Sequence, residues 1–233
     1  MASYNLVNLA GAFNVIVFEI DGRNAFLDTG SPFSLARCPF SINNNQFNFP
    51  ESNAFVTIQT ISDAIGIPLD IFIGTSILNQ FDVRIRKCDN TIDIDNDIPD
   101  YAITVPLSII PGNGVIFPIA VAGRETNAFI DTGAHISYID SSFVQNSVSI
   151  RTENDYNPLY GSFETNIYRL PTKIDNLREI AMEYGVLPAK LSMMSITMLN
   201  AMYNTSVIIG TELFSHYNCC ISMQRRMISF EPY

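Results

Sequence analysis

Asp-Thr-Gly occurs twice in this chain of 233 residues, at Asp28-Thr29-Gly30 and at Asp131-Thr132-Gly133. The surrounding stretches are near copies, NAFLDTGSPFS at 24–34 and NAFIDTGAHIS at 127–137. One such tripeptide would read as a surface turn, since Asp and Gly form turns and a Thr hydroxyl can bond its own backbone. Two copies, each behind the same apolar run, offer a pair of carboxyl groups. Carboxyls held close together cannot both ionise cheaply, so they share a proton, and one can act as base while the other acts as acid. Other catalytic kits are missing. His135 and His216 are the only histidines, neither beside a paired carboxylate or thiol, so no zinc site is expected. Cys38, Cys88, Cys219 and Cys220 make no CxxC pair or disulfide framework and read as buried or half-buried free thiols.

The elements that must position these residues are themselves repeated. VIVFEIDGRNAFLDTG (15–30) aligns with IFPIAVAGRETNAFIDTG (116–133), the second copy having two extra residues. LDIFIGTSILNQFDV (69–83) matches TSVIIGTELFSHYNC (205–219), which sets Gly74 against Gly210, and NTIDI (90–94) matches RMISF (226–230). Four matches in one order make the chain a duplication. It divides into an N-terminal lobe of residues 1–97, a linker at 98–114 and a C-terminal lobe of residues 115–233. Each copy reads as β-rich, with a tight hairpin at Asp21-Gly22 and short helices at SILNQF and ELFSHY. The second copy is longer between its landmarks and should carry one extra helix, NLREIAMEYG at 176–185, started by Asp175 and stopped by Gly185. The fold class expected is therefore mostly all-β, two lobes related by a pseudo-twofold with short helices.

Composition restricts the partners. The net charge is −10, a sign that repels phosphate backbones and anionic lipid, so neither nucleic acid nor a membrane surface is expected. The apolar runs are strand-sized, too short to span a bilayer, and the first residues lack the pattern of a signal peptide. The compartment is left open, with the cytoplasm favoured. The acidic stretch CDNTIDIDNDIPD (88–100) reads as a solvated connection, and the Met-rich KLSMMSITMLNAM (190–202) as core.

The doubled pattern of two apolar residues, Asp-Thr-Gly, then Ser or Ala, followed later by Ile-Gly before a short helix, resembles the aspartic proteases over residues 14–97 and 115–230. The separate lobes are similar to retropepsins, and their linkage in one chain is similar to the pepsin-like arrangement. The resemblance implies that Asp28 and Asp131 lie side by side across the pseudo-twofold and activate a water between them, with a polypeptide as substrate. That mechanism needs no metal or organic cofactor, and a chain carrying both lobes would work as a monomer. It further implies that Thr29 and Thr132 bond across the axis and that Gly30 and Gly133 let backbone N–H groups approach the carboxylates. Gly74 and Gly210 would let a neighbouring strand pass close by. Ser31 could donate to Asp28, where Ala134 has nothing to donate, so Asp28 is expected to carry the charge.

Departures from the pattern are specific. Retropepsins place an Asp where this chain has Pro32 and His135, and an Arg where it has Thr75 and Thr211. His135 reads as a polar loop histidine. A flap hairpin over the cleft is expected only in the second copy, around 151–172 with Tyr156 or Tyr160 near its tip, while NNNQFNFPESNAFVTIQT (43–60) reads as a stunted one. The alternative reading is a catalytically inactive peptide-binding module of the same fold.

Overall fold

The computed structural model describes residues 2–7, 14–157 and 160–233. In the first half, β1 (Ala2–Asn5) is followed by a hairpin of β2 (Val17–Ile20) and β3 (Arg23–Leu27), then β4 (Leu35–Ala36), β5 (Phe40–Ile42) and β6 (Asn45–Phe47). Helix α1 (Ile58–Ile65), β7 (Ile71–Ile73), the single turn α2 (Thr75–Leu78), β8 (Asp82–Arg86) and β9 (Thr91–Asp95) complete it. The second half begins with β10 (Ile103–Pro106), β11 (Ser108–Ile110), β12 (Gly114–Val121), β13 (Arg124–Ile130) and β14 (Ser137–Ile139). Then come β15 (Arg151–Asn157), β16 (Gly161–Lys173), β17 (Ile180–Gly185), α3 (Ala189–Met194), α4 (Ile196–Tyr203), β18 (Thr205–Ile209), β19 (Tyr217–Ser222) and β20 (Met227–Pro232). The protein is mostly β. No helix among the described residues is long and apolar enough to cross a membrane.

The two halves repeat one strand order. One sheet has the order β2-β3-β7-β4, and its counterpart β12-β13-β18-β14 lies within an eight-stranded sheet. In each, the strand that delivers the aspartate runs parallel to the strand that ends in Ile-Gly, β3 beside β7 and β13 beside β18. Both hairpins turn through two residues of positive φ, Asp21-Gly22 and Ala122-Gly123, the conformation that matches the twist of paired strands.

A six-stranded sheet, β1-β9-β8-β19-β20-β10, joins the two halves. At its centre β8 and β19 pair antiparallel, and Arg84 faces Cys220, its own counterpart in the second copy. A pseudo-twofold therefore passes between these strands. Two buried carboxylates are neutralised in this sheet. Asp93, fully buried, accepts at both carboxylate oxygens from Arg86 Nη2, at 3.0 and 3.1 Å, and Asp82 pairs with Arg225. Arg225 also holds Ile98 O and Asp100, clamping the crossing between the halves. The stretch 98–114, taken as linker, thus carries β10 and β11. The acidic stretch before it, read as a solvated connection, contributes β9 to the sheet.

Four further sequence expectations are corrected. Residues 176–185 form no helix: β17 pairs antiparallel with β16, because Met182 and Tyr184 alternate inward with Ala181 and Glu183 facing out or half out. Asp175 adopts a left-handed turn conformation in place of a cap. Among the described residues the α-helices of the second half are α3 and α4 instead, beside the short 3-10 helix expected at ELFSHY, which spans Thr211–Ser215. Helices α3 and α4 bury Leu191 and Ile196 while Met193, Met194, Met198 and Met202 stand exposed, so the Met-rich stretch is not core. Of the stunted hairpin only β5–β6 forms, turning at Asn43-Asn44, and α1 begins at residue 58. Among the cysteines, Cys219 and Cys220 are buried, but Cys38 and Cys88 are exposed.

Helix α1 proves to be the counterpart of α4. Ile58 and Ile61 pack with Phe26, Leu35 and Phe72, and Ile196 packs with Phe129, Tyr138 and Ile208, which hold the same places in the second copy. Both helices end on a left-handed residue, Gly66 in one and Asn204 in the other. Among the elements the second half adds are the hairpin β15–β16, the strand β17 and the helix α3.

Candidate active site

Each Asp-Thr-Gly leaves the end of its β-strand beside the Ile-Gly of the parallel neighbour. The Asp28 N–H donates to Ile73 O at 2.9 Å and the Asp131 N–H to Ile209 O at 2.8 Å, so the strand pair fixes where each aspartate starts. Gly74 and Gly210 then pass close under the loops. A methyl on Gly74 would lie 2.0 Å from Phe33 O, and one on Gly210 would lie 2.4 Å from Ala134 O.

The two loops are locked to each other by an exchange of threonines. The Thr29 N–H donates to Thr132 Oγ1 and the Thr132 N–H to Thr29 Oγ1, both at 3.0 Å. Each hydroxyl in turn donates across the axis, Thr29 Oγ1 to Ile130 O at 2.9 Å and Thr132 Oγ1 to Leu27 O at 2.8 Å. Both threonines are buried, so four backbone groups that water cannot reach depend on this exchange.

The exchange brings the carboxyls together. Asp28 Oδ1 accepts from the Gly30 N–H at 2.8 Å and Asp131 Oδ1 from the Gly133 N–H at 2.9 Å. Each carboxyl also lies against the glycine of the opposite loop: a methyl on Gly30 would sit 2.6 Å from the Asp131 carboxyl carbon, and one on Gly133 equally close to that of Asp28. Each carboxyl therefore lies within reach of the other and perturbs its titration. Burial, then the neighbouring Asp131, hold Asp28 well above the usual carboxylate range, against the N–H groups of Gly30 and Ser31. Burial raises Asp131 too, opposed by the neighbouring Asp28 and by the N–H groups of Gly133 and Ala134, and assisted by the charge of Asp155. Such a pair keeps one proton where isolated carboxylates would keep none.

Ser31 does not contribute as the sequence suggested. Its hydroxyl donates to Phe33 O at 3.1 Å and reaches neither aspartate, so it gives no reason for Asp28 to hold the charge. Ser31→Ala is therefore expected to leave the pH–rate profile of peptide hydrolysis within about 0.2 pH unit of the parent, well under the unit that a lost 1.4 kcal/mol would give. Ala134 acts through its backbone, its N–H turned to Asp131 and its O accepting from the Thr211 N–H.

Supporting residues that the sequence reading passed over are Ser34 and Ser137. The Gly74 N–H donates to Ser34 Oγ and the Gly210 N–H to Ser137 Oγ, both at 3.0 Å. They were visible as the last residue of each copied stretch. Thr75 and Thr211 stay inside the site as well, each donating its N–H to the loop in front, Ser31 O at 2.8 Å and Ala134 O at 2.9 Å.

The hairpin β15–β16 projects from the second half towards the first. Tyr156 lines a small cavity with Phe55, Val56, Thr60 and Ile61 of the first half. Tyr160 stacks edge-on against Phe163, and Lys190 lies over its ring. The residues between Asn157 and Tyr160 lie outside the described ones.

Just beyond Thr211, burial pushes the Glu212 carboxyl up to about 7, although both its oxygens accept from the Glu183 N–H. An acid whose folded value exceeds its unfolded one stabilises most when protonated, and that contribution is lost as pH rises through the folded value. Stability should accordingly fall between about pH 4.5 and 8, by ~2 kcal/mol for a side chain that is one-quarter exposed. Glu212→Gln, which keeps an acceptor for the Glu183 N–H, should remove that part of the slope in denaturant melts taken across the range.

Solved structures to which the chain is similar include two proteins. A foamy virus protease, from the simian (mac) virus, matches with a TM-score of 0.30 and 16% identity over 42% of this chain and 88% of its own. Basic 7S globulin from soybean matches with a TM-score of 0.44 and 11% identity over 94% of this chain and 66% of its own. No family model matches the chain, and no curated protein matches it.

Proposed function

We propose that this protein is an aspartic endopeptidase of two retropepsin-like lobes, residues 1–97 and 115–233, whose Asp28 and Asp131 form one catalytic pair. The observation that carries the reading is the crossed packing of the two carboxyls, each against the other loop's glycine and both raised by burial. In the working state one carboxylate is ionised and takes a proton from a water held between the pair, making it nucleophilic. The protonated partner donates to the oxygen of the scissile carbonyl as the water adds. The tetrahedral intermediate then collapses as a proton passes to the leaving nitrogen, and the pair regains its single shared proton. The buried threonine exchange keeps the separation of the carboxyls from drifting, which a shared proton requires.

The substrate is an extended polypeptide segment with apolar residues near the cleaved bond, bound by strand-like backbone hydrogen bonds beneath the hairpin β15–β16. Both lobes are in one chain, so the enzyme acts as a monomer. Incubation with a pool of unstructured peptides from pH 3 to 7, with and without a statine-type inhibitor, tests the reading. Cleavage that the inhibitor stops is the expected result. Absence of cleavage at every pH, together with retained peptide binding, would make the chain an inactive peptide-binding module.

A further inference from the structure

The segment after the second Asp-Thr-Gly differs from its counterpart in the first copy at two positions that face the hairpin. His135 stands where the first copy has Pro32, and Tyr138 where it has Leu35. Both converge on one carboxylate of β15. Tyr138, itself buried, donates its hydroxyl to Asp155 Oδ2, and His135 Nδ1 lies 3.3 Å from Asp155 Oδ1. The backbone N–H of Tyr156 donates to that same oxygen at 2.7 Å. The Asp155 and His135 side chains are 10% and 11% exposed, so the contact is shielded from water.

β15 has a sheet neighbour on one side only, β16, at the outer end of the sheet order. Among its other ties are an ion pair near its base, Arg151 with Glu183, and the approach of Tyr156 to the first half. Asp155 lies between these, two residues before the end of the strand. We propose that Asp155 is a positioning residue that latches the hairpin onto the second lobe through Tyr138 of β14 and His135 of the catalytic loop, setting its height above the paired aspartates. This rests on the protease reading for its catalytic consequence, but the latch itself is a property of the fold.

The latch also links the hairpin to the chemistry. The charged and titratable groups around the Tyr138–Asp155 contact are His135 and Asp131 from the loop and Glu153 from β15 itself. The Asp155 charge is among the influences that raise Asp131. An open latch would therefore change both how the substrate is held and how the pair titrates.

The test uses Asp155→Ala, Asp155→Asn and Tyr138→Phe in the full chain. Tyr138→Phe keeps the ring beside Phe163 and deletes only the hydroxyl. Amide hydrogen exchange across residues 151–173 should speed up about tenfold or more in Asp155→Ala and Tyr138→Phe, with the six-stranded sheet unaffected. Asp155→Asn, which retains an acceptor for Tyr138, should restore most of the protection. In peptide hydrolysis, Asp155→Ala and Tyr138→Phe should raise KM about tenfold with a smaller change in kcat. Asp155→Asn should shift the acid limb of the kcat/KM profile to lower pH, because a negative charge near Asp131 is gone. Unchanged exchange in the hairpin for Tyr138→Phe would overturn the latch, whether or not the parent cleaves peptides. If Asp155→Ala does not fold, Tyr138→Phe alone decides. Faster exchange in a chain that cleaves nothing would uphold the latch while the protease reading failed.

Discussion

Asp131→Asn should lower kcat for peptide hydrolysis by about a thousandfold or more, the scale expected when one member of an acid–base pair is lost. Asn is nearly isosteric, and its side-chain oxygen can still accept from the Gly133 N–H, so the loop keeps its shape. What it cannot do is share a proton with Asp28. The fold should not suffer. A carboxyl held above its ordinary range by burial disfavours the folded state once ionised, so the thermal midpoint at neutral pH should stay level or rise. Asp28→Asn should behave alike, and the double variant should be scarcely worse than either single one, because residues acting as a unit are not additive. Steady-state hydrolysis combined with circular-dichroism melts checks all three. Hydrolysis that survives either substitution would end the two-carboxyl mechanism.

Thr132→Val should be the costliest change near the site for stability. Valine preserves the shape but removes a hydroxyl that serves two buried backbone groups, the Thr29 N–H and Leu27 O. Leaving a buried group unpaired costs about 1–3 kcal/mol, so the loss should be ~2–5 kcal/mol in denaturant titration. Activity should fall as well, through kcat more than KM, since the freed loops no longer hold the carboxyls in register. Thr29→Val should cost about the same, because the exchange is symmetric. The double variant should cost less than the two single losses added together, as both remove parts of one network. A loss below ~0.5 kcal/mol for Thr132→Val would mean that the lobes are held at this point by something else.

The sequence carried the site more clearly than the elements around it. The offset between NAFLDTG and NAFIDTG, and that between the two Ile-Gly pairs, locate the residues that meet between the two halves. Ser34 and Ser137 were open to the same argument. Helix α1 was harder to see: its cap is Thr57 with Thr60, lacking the Glu or Gln that usually marks a capping box. In 176–185 the apolar residues suit either period, and the long partner β16 decides for a strand. Around α4 they suit every face, since Ile196 points inward while Met198 and Met202 point out, so no periodicity could assign a buried side. The Asp155 contact lay beyond reach altogether. It joins β14 to a hairpin 17 residues further on through side chains that no spacing rule connects.

The central claim is that Asp28 and Asp131 hold one proton between them. Titration of the full chain labelled with ¹³C at the aspartate carboxyls, with the two signals assigned by Asp28→Asn and Asp131→Asn, measures this without requiring a substrate. The prediction is two coupled steps, one of them well above the ordinary value of 3.8, with each single variant collapsing the pair to one step. Two independent titrations near that ordinary value, each unmoved by removal of the other carboxyl, would contradict it.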